Sequence, residues 1–243
     1  MKPYFKKNRT QLAILVDPDH RNSTAYESLL VELRKGYADI ILVGGSTSRQ
    51  DNIDEVCKEL KAVTKRPVIL FPGNPFQLSK YADAVLALSL ISGRNPEFLI
   101  GKMVESAPII HEYGLEPIPT GYIIVGDDAS SAAAYMSGTT PIPRNQHGIA
   151  AQTALAGVML GLQAIYLEAG SGAGHTMPSE TIAAVRKLVD VPIIVGGGIR
   201  HPNQVPPLVN SGANTIVIGS ILEHNPELLQ SFHQGITMEK SMR

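Results

Sequence analysis

The stretches VPIIVGGGIR at residues 191–200 and NTIVIGS at residues 214–220 decide the fold. Each is a short run of mostly β-branched residues that ends in glycine, and a segment of helical character separates the two. Runs that are apolar throughout, rather than at alternate positions, are typical of parallel strands covered on both faces. Two such strands in succession favour a sheet of parallel strands whose glycine-rich turns lie at one end.

Six further runs of the same kind precede these two. The eight predicted strands are Leu12 to Val16, Ile40 to Val43, Val68 to Phe71, Ala84 to Leu88, Pro119 to Val125, Ala164 to Leu167, Pro192 to Val195 and Asn214 to Ile218. Residues typical of helix N-termini occur between the predicted strands, for example Asn95-Pro96-Glu97 and Pro178-Ser179-Glu180. Eight strands separated by helices predict an α/β fold, a closed (β/α)₈ TIM barrel, although an open doubly wound sheet shares this pattern. A length of 243 residues with 44% apolar content fits a single TIM-barrel domain over residues 1–243.

Two intervals depart from the regular alternation. Residues 72–82, PGNPFQLSKYA, leave room for a turn or two of helix, so the third outer helix is predicted to be missing or vestigial. Its absence would leave an apolar groove long enough for an extended hydrocarbon chain; a compacted loop without a role is the alternative. Residues 126–144, GDDASSAAAYMSGTTPIPR, are unusually long for a loop, and we expect them to cover the active site or to form an oligomer contact.

Composition excludes several classes of protein. The formal net charge of −1, with basic residues scattered along the chain, argues against a nucleic-acid partner. Cys57 is the only cysteine, so the chain has no internal disulfide and no cysteine-based zinc cluster, which fits a reducing cytoplasm. We expect no secretion signal and no transmembrane segment, because no apolar stretch is long enough for either.

The glycines after the last two strands predict a phosphate site. Active sites of such barrels lie at the carboxyl ends of the strands, and the loops after strands 7 and 8 commonly bind phosphate. Gly196 to Gly198 follow strand 7, and Gly219-Ser220 follow strand 8 and lead into a predicted helix. Glycine lets backbone N–H groups approach a phosphate, and a helix N-terminus favours an anion. Tight turns that need glycine are the alternative explanation.

Strand 6 supplies a candidate general base. Alternation along the strand places Tyr166 and Glu168 on the same side, facing the site at the barrel mouth. A carboxylate there can accept the proton of an alcohol. A structural, ion-paired carboxylate is the alternative role for Glu168.

Asp17 and Ser46 follow strands 1 and 2 and form a candidate Mg²⁺ site. Mg²⁺ prefers oxygen ligands and commonly uses one or two carboxylates together with phosphates of the substrate. Neighbouring strand ends would bring Asp17 and Ser46 together. A helix-capping role for Asp19 or Ser46 is the alternative.

Several segments together resemble the geranylgeranylglyceryl phosphate synthase family, whose bacterial relatives include the heptaprenylglyceryl phosphate synthases. They are LVDPD at 15–19, VGGSTS at 43–48, FPGNP at 71–75, YLEAGSGAG at 166–174, IVGGGIR at 194–200 and Gly219-Ser220. The resemblance covers nearly the whole chain, and PIPRNQHGIAAQTALAG at 141–157 is similar to the longer of two family branches. One departure is Leu15, where some relatives carry a lysine, and this puts a phosphate contact at that position in question.

The resemblance implies a barrel without its third helix, in which a prenyl chain lies in the gap. The implied enzyme is a Mg²⁺-dependent prenyltransferase of phospholipid biosynthesis, which joins C1 of a polyprenyl diphosphate, geranylgeranyl being favoured, to the hydroxyl of sn-glycerol 1-phosphate. Asp17 and Ser46 would bind Mg²⁺, and the resemblance also implies a homodimer or homohexamer. Glycerol 1-phosphate would be bound by Tyr166, Leu167, Glu168, Ala169, Gly170, Ser171, Gly172, Gly197, Gly198, Gly219 and Ser220.

Three other functions stay open at this point. A phosphosugar isomerase or another phosphate-anchored barrel enzyme shares the last two loops, but needs a paired acid and base and a full third helix. An FMN-binding oxidoreductase places its cofactor phosphate in the same loops. A non-enzymatic carrier of prenyl lipids would use the groove and leave the carboxylates at the strand ends without a role.

Overall fold

A computed structural model describes residues 4–45, 52–127 and 131–240 of the chain. Eight parallel strands pair in sequence order, and the eighth pairs with the first, so the sheet is a closed barrel. The strands are β1 (Gln11–Val16), β2 (Ile40–Val43), β3 (Val68–Leu70), β4 (Ala84–Leu90), β5 (Glu116–Ile124), β6 (Ala164–Glu168), β7 (Ile193–Gly196) and β8 (Thr215–Ile218). The predicted TIM barrel is confirmed, and the open doubly wound sheet is excluded. That residues 1–243 form one domain stays a prediction.

Helices surround the barrel. They are α1 (Thr24–Arg34), α2 (Ile53–Val63), α3 (Lys102–Glu112), α4 (Ala132–Ser137), α5 (His147–Met159), α6 (Ser179–Leu188), α7 (Val205–Asn210) and α8 (Leu229–Lys240). A π-helical turn at Glu97–Gly101 precedes α3 directly. Its start follows the predicted cap, because the side-chain oxygen of Asn95 accepts a hydrogen bond from the N–H of Glu97 at 3.1 Å. Among the described residues, no helix is long and apolar enough to cross a membrane.

The strands are apolar on both faces because each face meets a different core. In β1, Leu12, Ile14 and Val16 pack in the outer layer between sheet and helices. Ala13, between them, belongs to the interior of the barrel. The alternation of inward and outward side chains thus persists inside a run that is hydrophobic throughout. Inward-facing side chains near the carboxyl ends of the strands therefore line the barrel mouth.

The third outer helix is missing, as predicted. Residues 71–83, between β3 and β4, contain no helix. The buried side chain of Gln77 holds this segment, because its amide donates to the carbonyl of Gly45 at 3.1 Å and its oxygen accepts from the N–H of Gly73 at 2.7 Å. At the end of the segment, the carboxylate of Asp83 accepts a hydrogen bond from the N–H of Val68 at 2.9 Å. The segment is therefore ordered by polar contacts to neighbouring loops rather than by helix formation.

Candidate active site

One cavity of about 200 Å³ joins the barrel mouth to the gap left by the missing helix. Its mouth end is polar, and its lining there includes Asp17, Glu168, Ser171, Ser220 and Glu223. These residues follow or end strands β1, β6 and β8, whose carboxyl ends meet at the same edge of the barrel. The structure thus brings the predicted base, one predicted Mg²⁺ ligand and two serines predicted to bind glycerol 1-phosphate into one cavity.

Glu168 lies at the inner wall of this cavity and is 7% exposed. One carboxylate oxygen accepts a hydrogen bond of 2.6 Å from the backbone N–H of Gly170. The hydroxyl groups of Tyr122 and Tyr166 also donate to the carboxylate. Burial disfavours the charged form more than these three donors favour it, and it raises the pKa of Glu168 to about 7. A carboxyl group with such a pKa can take up or release a proton near neutral pH.

Tyr166 and Glu168 share the inner side of β6, as the strand alternation predicts. Tyr166 is 1% exposed and packs inside the barrel, so it reaches the site through its hydrogen bond to Glu168. The neighbouring residues Leu167 and Ala169 pack their side chains into the outer layer, which leaves their backbone alone to face a ligand.

Tyr122 is a site residue that the sequence analysis missed. It stands opposite Tyr166 in the register of β5 and β6, and the two ring centroids are 5.3 Å apart. Phe71, directly after β3, packs against both rings, and its ring centroid lies 5.9 Å from that of Tyr122 and 5.0 Å from that of Tyr166. Burial, reinforced by the nearby charge of Glu168, raises the pKa of both tyrosines well above the usual range, so both hydroxyls stay protonated donors. Strand periodicity alone marks Tyr122 as inward-facing, but its partner becomes known only with the register.

The glycine turns after β6 and β7 interlock. Gly170, Gly172, Gly197 and Gly198 all have positive φ, between 68° and 106°. A Cβ atom on Gly198 would lie 2.2 Å from the carbonyl oxygen of His175. The guanidinium of Arg200 ties the two turns together by donating to the carbonyls of Gly172 at 2.9 Å and Ala173 at 3.2 Å. These glycines therefore satisfy the tight-turn explanation by themselves, and phosphate binding at Gly197 and Gly198 stays a prediction.

The turn after β8 differs from the prediction that Gly219-Ser220 lead into a helix. The chain forms a hydrogen-bonded turn, with the N–H of Leu222 donating to the carbonyl of Gly219 at 2.8 Å, and α8 begins only at Leu229. Ile221 to Asn225 form a single helical turn, in which the N–H of Asn225 donates to the carbonyl of Ile221 at 2.9 Å. Pro226 prevents this turn from continuing as a helix, because it disfavours helical backbone at the preceding Asn225, where φ is −136°. Ser220 still faces the site, because its hydroxyl oxygen lies 3.3 Å from that of Ser171.

The structure describes only one of the two predicted Mg²⁺ ligands. Asp17 lines the cavity, and one of its carboxylate oxygens accepts from the N–H of Asp19 at 3.0 Å, so it also caps the short helical turn that follows β1. Ser46 lies outside the described residues. Leu15 lines the cavity and adds apolar surface to its wall.

Glu223 also faces the cavity and was not predicted, because it lies five positions beyond the end of β8 in an irregular turn. Its carboxylate accepts from the ring Nδ1 of His20 at 3.2 Å. Burial raises the pKa of Glu223, and the nearby Asp17 adds to this effect. A second carboxylate therefore stands near Asp17 at the mouth.

The flank of the cavity is an apolar groove between residues 71–83 and α3. Side chains from β4, the loop before it, α3 and its π-helical turn form the groove; they include Leu78, Leu88, Phe98, Met103 and Ile110. From the long loop predicted to cover the site, Ala133 and Met136 of α4 contribute to the same groove. The covering role is thus consistent with the position of α4, while nothing in the structure tests the alternative oligomer contact.

Comparison with known proteins identifies the family. The PcrB family profile matches residues 5–236. A geranylgeranylglyceryl phosphate synthase from Spirosoma linguale is 45% identical over 229 residues, which are 94% of this chain and 92% of that protein. One from Pyrococcus furiosus is 44% identical over 211 residues, 86% of this chain and 83% of that protein.

A solved structure agrees with the match in sequence. The crystal structure of (S)-3-O-geranylgeranylglyceryl phosphate synthase from Thermoplasma acidophilum, in complex with its substrate sn-glycerol-1-phosphate, superposes with a TM-score of 0.87. It is 31% identical, and the alignment covers 95% of this chain and 94% of that one. The chain therefore belongs to the PcrB family, and the resemblance to the geranylgeranylglyceryl phosphate synthases is confirmed.

Proposed function

We propose that this protein forms an ether bond between the hydroxyl of sn-glycerol 1-phosphate and C1 of a polyprenyl diphosphate, releasing diphosphate, in ether phospholipid biosynthesis. The observation that carries this proposal is the shape of the cavity. Its polar mouth contains the buried Glu168, and from there the cavity continues into an apolar groove. Such a cavity suits one small polar substrate and one long apolar substrate that meet at the mouth. The names of the relatives, and the glycerol phosphate bound to the Thermoplasma protein, support the same reaction.

The polar substrate would be held by its phosphate. The turns after β6, β7 and β8 meet at the mouth, where Ser171 and Ser220 place two hydroxyl groups 3.3 Å apart. Backbone N–H groups at Gly197, Gly198 and Gly219 would add donors that no side chain shields. Anchoring the phosphate there would fix the glycerol hydroxyl relative to Glu168, which lowers the entropic part of the barrier.

Glu168 would act as the general base. Its pKa of about 7 means that the ionised form is well populated at neutral pH and is still basic enough to accept the hydroxyl proton as the C–O bond forms. Tyr122, Tyr166 and the N–H of Gly170 hold the carboxylate in place, so it needs little reorganisation during the reaction. The phosphosugar isomerases considered above need a full third helix, which this barrel lacks.

We propose Mg²⁺ as the cofactor, with Asp17 and Ser46 as ligands. The described residues contain no cluster of three or more His, Cys, Asp or Glu that could hold a metal by itself. Asp17, which lines the cavity, still fits Mg²⁺ as one of its ligands, because this ion keeps several waters and uses phosphate oxygens of the substrate. When bound, Mg²⁺ would neutralise negative charge on the departing diphosphate.

Geranylgeranyl diphosphate is the proposed prenyl substrate. The groove runs from Glu168 and Tyr122 at the mouth to Ile110 of α3 on the flank. The names of the relatives favour the geranylgeranyl chain. We also propose a cytoplasmic location and a homodimer or homohexamer, which light scattering on the purified protein would test.

The decisive experiment incubates the protein with Mg²⁺, radiolabelled glycerol 1-phosphate and prenyl diphosphates of graded length, with radiolabelled glycerol 3-phosphate as stereochemical control. We expect labelled lipid from glycerol 1-phosphate and geranylgeranyl diphosphate, and far less from glycerol 3-phosphate. Labelled lipid from neither glycerol phosphate would overturn the proposal. Omission of Mg²⁺, with a chelator present, tests the cofactor separately, because activity that is unchanged without divalent ions would exclude it.

A further inference from the structure

The loop between β6 and α6 is bound by two arginines that come from other segments of the chain. We call residues 171–176 the β6 loop. Arg200, which follows β7, donates through its guanidinium to the carbonyls of Gly172 at 2.9 Å and Ala173 at 3.2 Å. The side-chain oxygen of Gln204 accepts from the backbone N–H of Arg200 at 2.7 Å. The guanidinium therefore reaches the β6 loop from an anchored backbone.

Arg144 binds the same loop near its other end. It lies in the long segment between β5 and α5, and its guanidinium donates to the carbonyl of Thr176 at 2.9 Å. Its side chain is partly buried, and its Nε lies 3.8 Å from the carboxylate of Asp127. Two guanidinium groups from different segments thus bind carbonyls of one short loop.

The β6 loop has few other contacts that could order it. It contains neither helix nor strand, most of its residues are exposed, and Gly172, with φ of +72°, is free to adopt many backbone conformations. A cavity of about 390 Å³, lined by residues 171–175 and Arg144, adjoins it. Among the described residues, the hydrogen bonds that join it to distant parts of the chain are those from the two arginines and the contact between Ser171 and Ser220. The arginines therefore supply most of the polar contacts that fix this loop.

The position of the β6 loop decides where Ser171 lies. Ser171 lines the reaction cavity, and its hydroxyl oxygen lies 3.3 Å from that of Ser220 on the turn after β8. The turn after β7 is in contact with the same loop, because a Cβ atom on Gly198 would lie 2.2 Å from the carbonyl oxygen of His175. A shift of the β6 loop would separate groups that bind the phosphate together in the proposed function.

We propose that Arg200 and Arg144 are positioning residues for glycerol 1-phosphate, which hold the β6 loop against the turns after β7 and β8 before this substrate binds. The inference rests on the proposed function, in which these turns bind the phosphate. A loop that is already ordered loses less conformational freedom on binding, so the affinity for the substrate is higher. Neither arginine lines the reaction cavity, so each acts through the loop and not on the reacting atoms.

Titration calorimetry of the full chain with glycerol 1-phosphate, in the absence of prenyl diphosphate, tests the proposal. Arg200→Met and Arg144→Met remove the guanidinium and keep an unbranched side chain. Arg66→Met is the matched control, because Arg66 is also exposed and donates at 3.1 Å to the carbonyl of a glycine with positive φ, Gly36. Arg66 precedes β3 and therefore lies at the end of the barrel opposite the site.

We expect the Kd of glycerol 1-phosphate to rise about tenfold in each of the two variants and to stay unchanged in the control. The rise should be as large in ~1 M NaCl, where the Debye length is about 3 Å, as at low salt, because the arginines bind carbonyls rather than the phosphate. KM for glycerol 1-phosphate should rise likewise, while kcat and KM for the prenyl diphosphate stay within about twofold of the wild type. An unchanged Kd in either variant, or a rise that disappears at high salt, would overturn the proposal.

Limited proteolysis of the substrate-free protein gives a readout that is independent of the reaction. Cleavage within the β6 loop, located by mass spectrometry, should be faster in both variants than in the wild type and the control, and glycerol 1-phosphate should slow it. Equal cleavage rates in all four proteins would contradict the positioning role. Wild-type protein that binds no glycerol 1-phosphate would contradict the proposed function, whereas equally tight binding by the wild type and both variants would exclude only the role of the arginines. Thermal unfolding checks that each variant is folded.

Discussion

A Cβ atom on Gly197 would lie 2.4 Å from the carboxylate oxygen Oε1 of Glu168. The same atom would lie 2.7 Å from the backbone nitrogen of Gly170, and φ of Gly197 is +87°. The turn after β7 thus packs directly on the candidate base and on the backbone that donates to it. Position 197 therefore requires glycine for two reasons: its backbone is in the left-handed region, and a side chain would collide with Glu168 and Gly170.

The first prediction concerns this contact. Gly197→Ala should lower the free energy of unfolding by about 1–3 kcal/mol, because of backbone strain and because the backbone of Gly170 cannot easily yield. Turnover should fall with it, since the carboxylate of Glu168 has to move. Urea unfolding and initial rates measure both effects.

Gly114→Ala is the matched control. Gly114 also has a positive φ of 63°, but a Cβ atom there would meet no other atom within 4 Å. It therefore reports the cost of the backbone conformation alone, and its turnover should equal that of the wild type. Equal destabilisation and equal turnover in the two variants would show that the contact with Glu168 is unimportant.

The second prediction is the pH dependence of the proposed reaction. If ionised Glu168 accepts the hydroxyl proton, kcat should rise with pH and level off above a midpoint near its pKa of about 7. Glu168→Gln should lower kcat far more than the affinity for glycerol 1-phosphate, and its residual rate should lack this titration. A wild-type profile of kcat that is flat from about pH 5 to about pH 9 would exclude Glu168 as the general base.

The third prediction concerns stability and follows from the same raised pKa. The folded protein holds the proton of Glu168 up to about pH 7, whereas the unfolded chain loses it near 4.5. The contribution of Glu168 to the free energy of unfolding is therefore fully present below pH 4.5 and is lost as the pH rises to about 7. At pH values above this window Glu168→Gln should be more stable than the wild type, by on the order of 2 kcal/mol.

Chemical unfolding of both proteins on either side of this pH window measures the difference. The stabilisation by Glu168→Gln should shrink toward the acidic side, where the wild-type carboxyl is already neutral. A stabilisation that is the same at both ends would show that burial does not shift the ionisation of Glu168.

The fourth prediction tests the residue that the sequence analysis missed. Tyr122→Phe removes a hydroxyl that donates to the carboxylate of Glu168 while keeping the ring that packs on Phe71 and Tyr166. Loss of a donor disfavours the ionised carboxylate, so the midpoint of the pH profile should move to higher pH and kcat at neutral pH should drop about tenfold. Tyr37→Phe, at a ring that packs on His233 instead, is the control. A lower kcat without a shifted midpoint would mean that Tyr122 acts on the substrate rather than on Glu168.

The fifth prediction concerns the groove. Ser106 on α3 lines it and is 6% exposed, so Ser106→Phe should fill its flank and reduce synthesis from geranylgeranyl diphosphate more than from shorter prenyl diphosphates. Ser28→Phe on α1 is a matched control, because Ser28 makes the same hydrogen bond to the carbonyl four residues earlier but faces solvent. Equal losses for all chain lengths would place the prenyl chain elsewhere.

The sequence was sufficient for the architecture because the signals for it are local. Apolar β-branched runs, helix-opening residues such as Asn95 and the short interval between Phe71 and Asp83 each report on a few neighbouring residues. All eight strands and the missing third helix are found where these patterns indicate. The helix expected directly after Ser220 was wrong, and even this error has a local cause in Pro226 that could have been read from the sequence.

Only part of the candidate site could be predicted from such local signals. Glu168, Asp17 and the glycine turns stand at strand ends, where the position along the chain implies the position in the barrel. Tyr122 and Glu223 join them through the register of β5 on β6 and through the path of an irregular turn, and neither is a property of neighbouring residues.

What the sequence by itself determined, then, is the order of strands and helices, the gap in the outer layer and the residue types at the strand ends. The tertiary structure alone decided that Glu168 is buried between two tyrosine hydroxyls, that Gly197 packs on it, and that the gap and the mouth form one cavity. The physical reason is that burial, and the pKa that follows from it, depends on groups far apart in the chain, which closure of the barrel brings into contact.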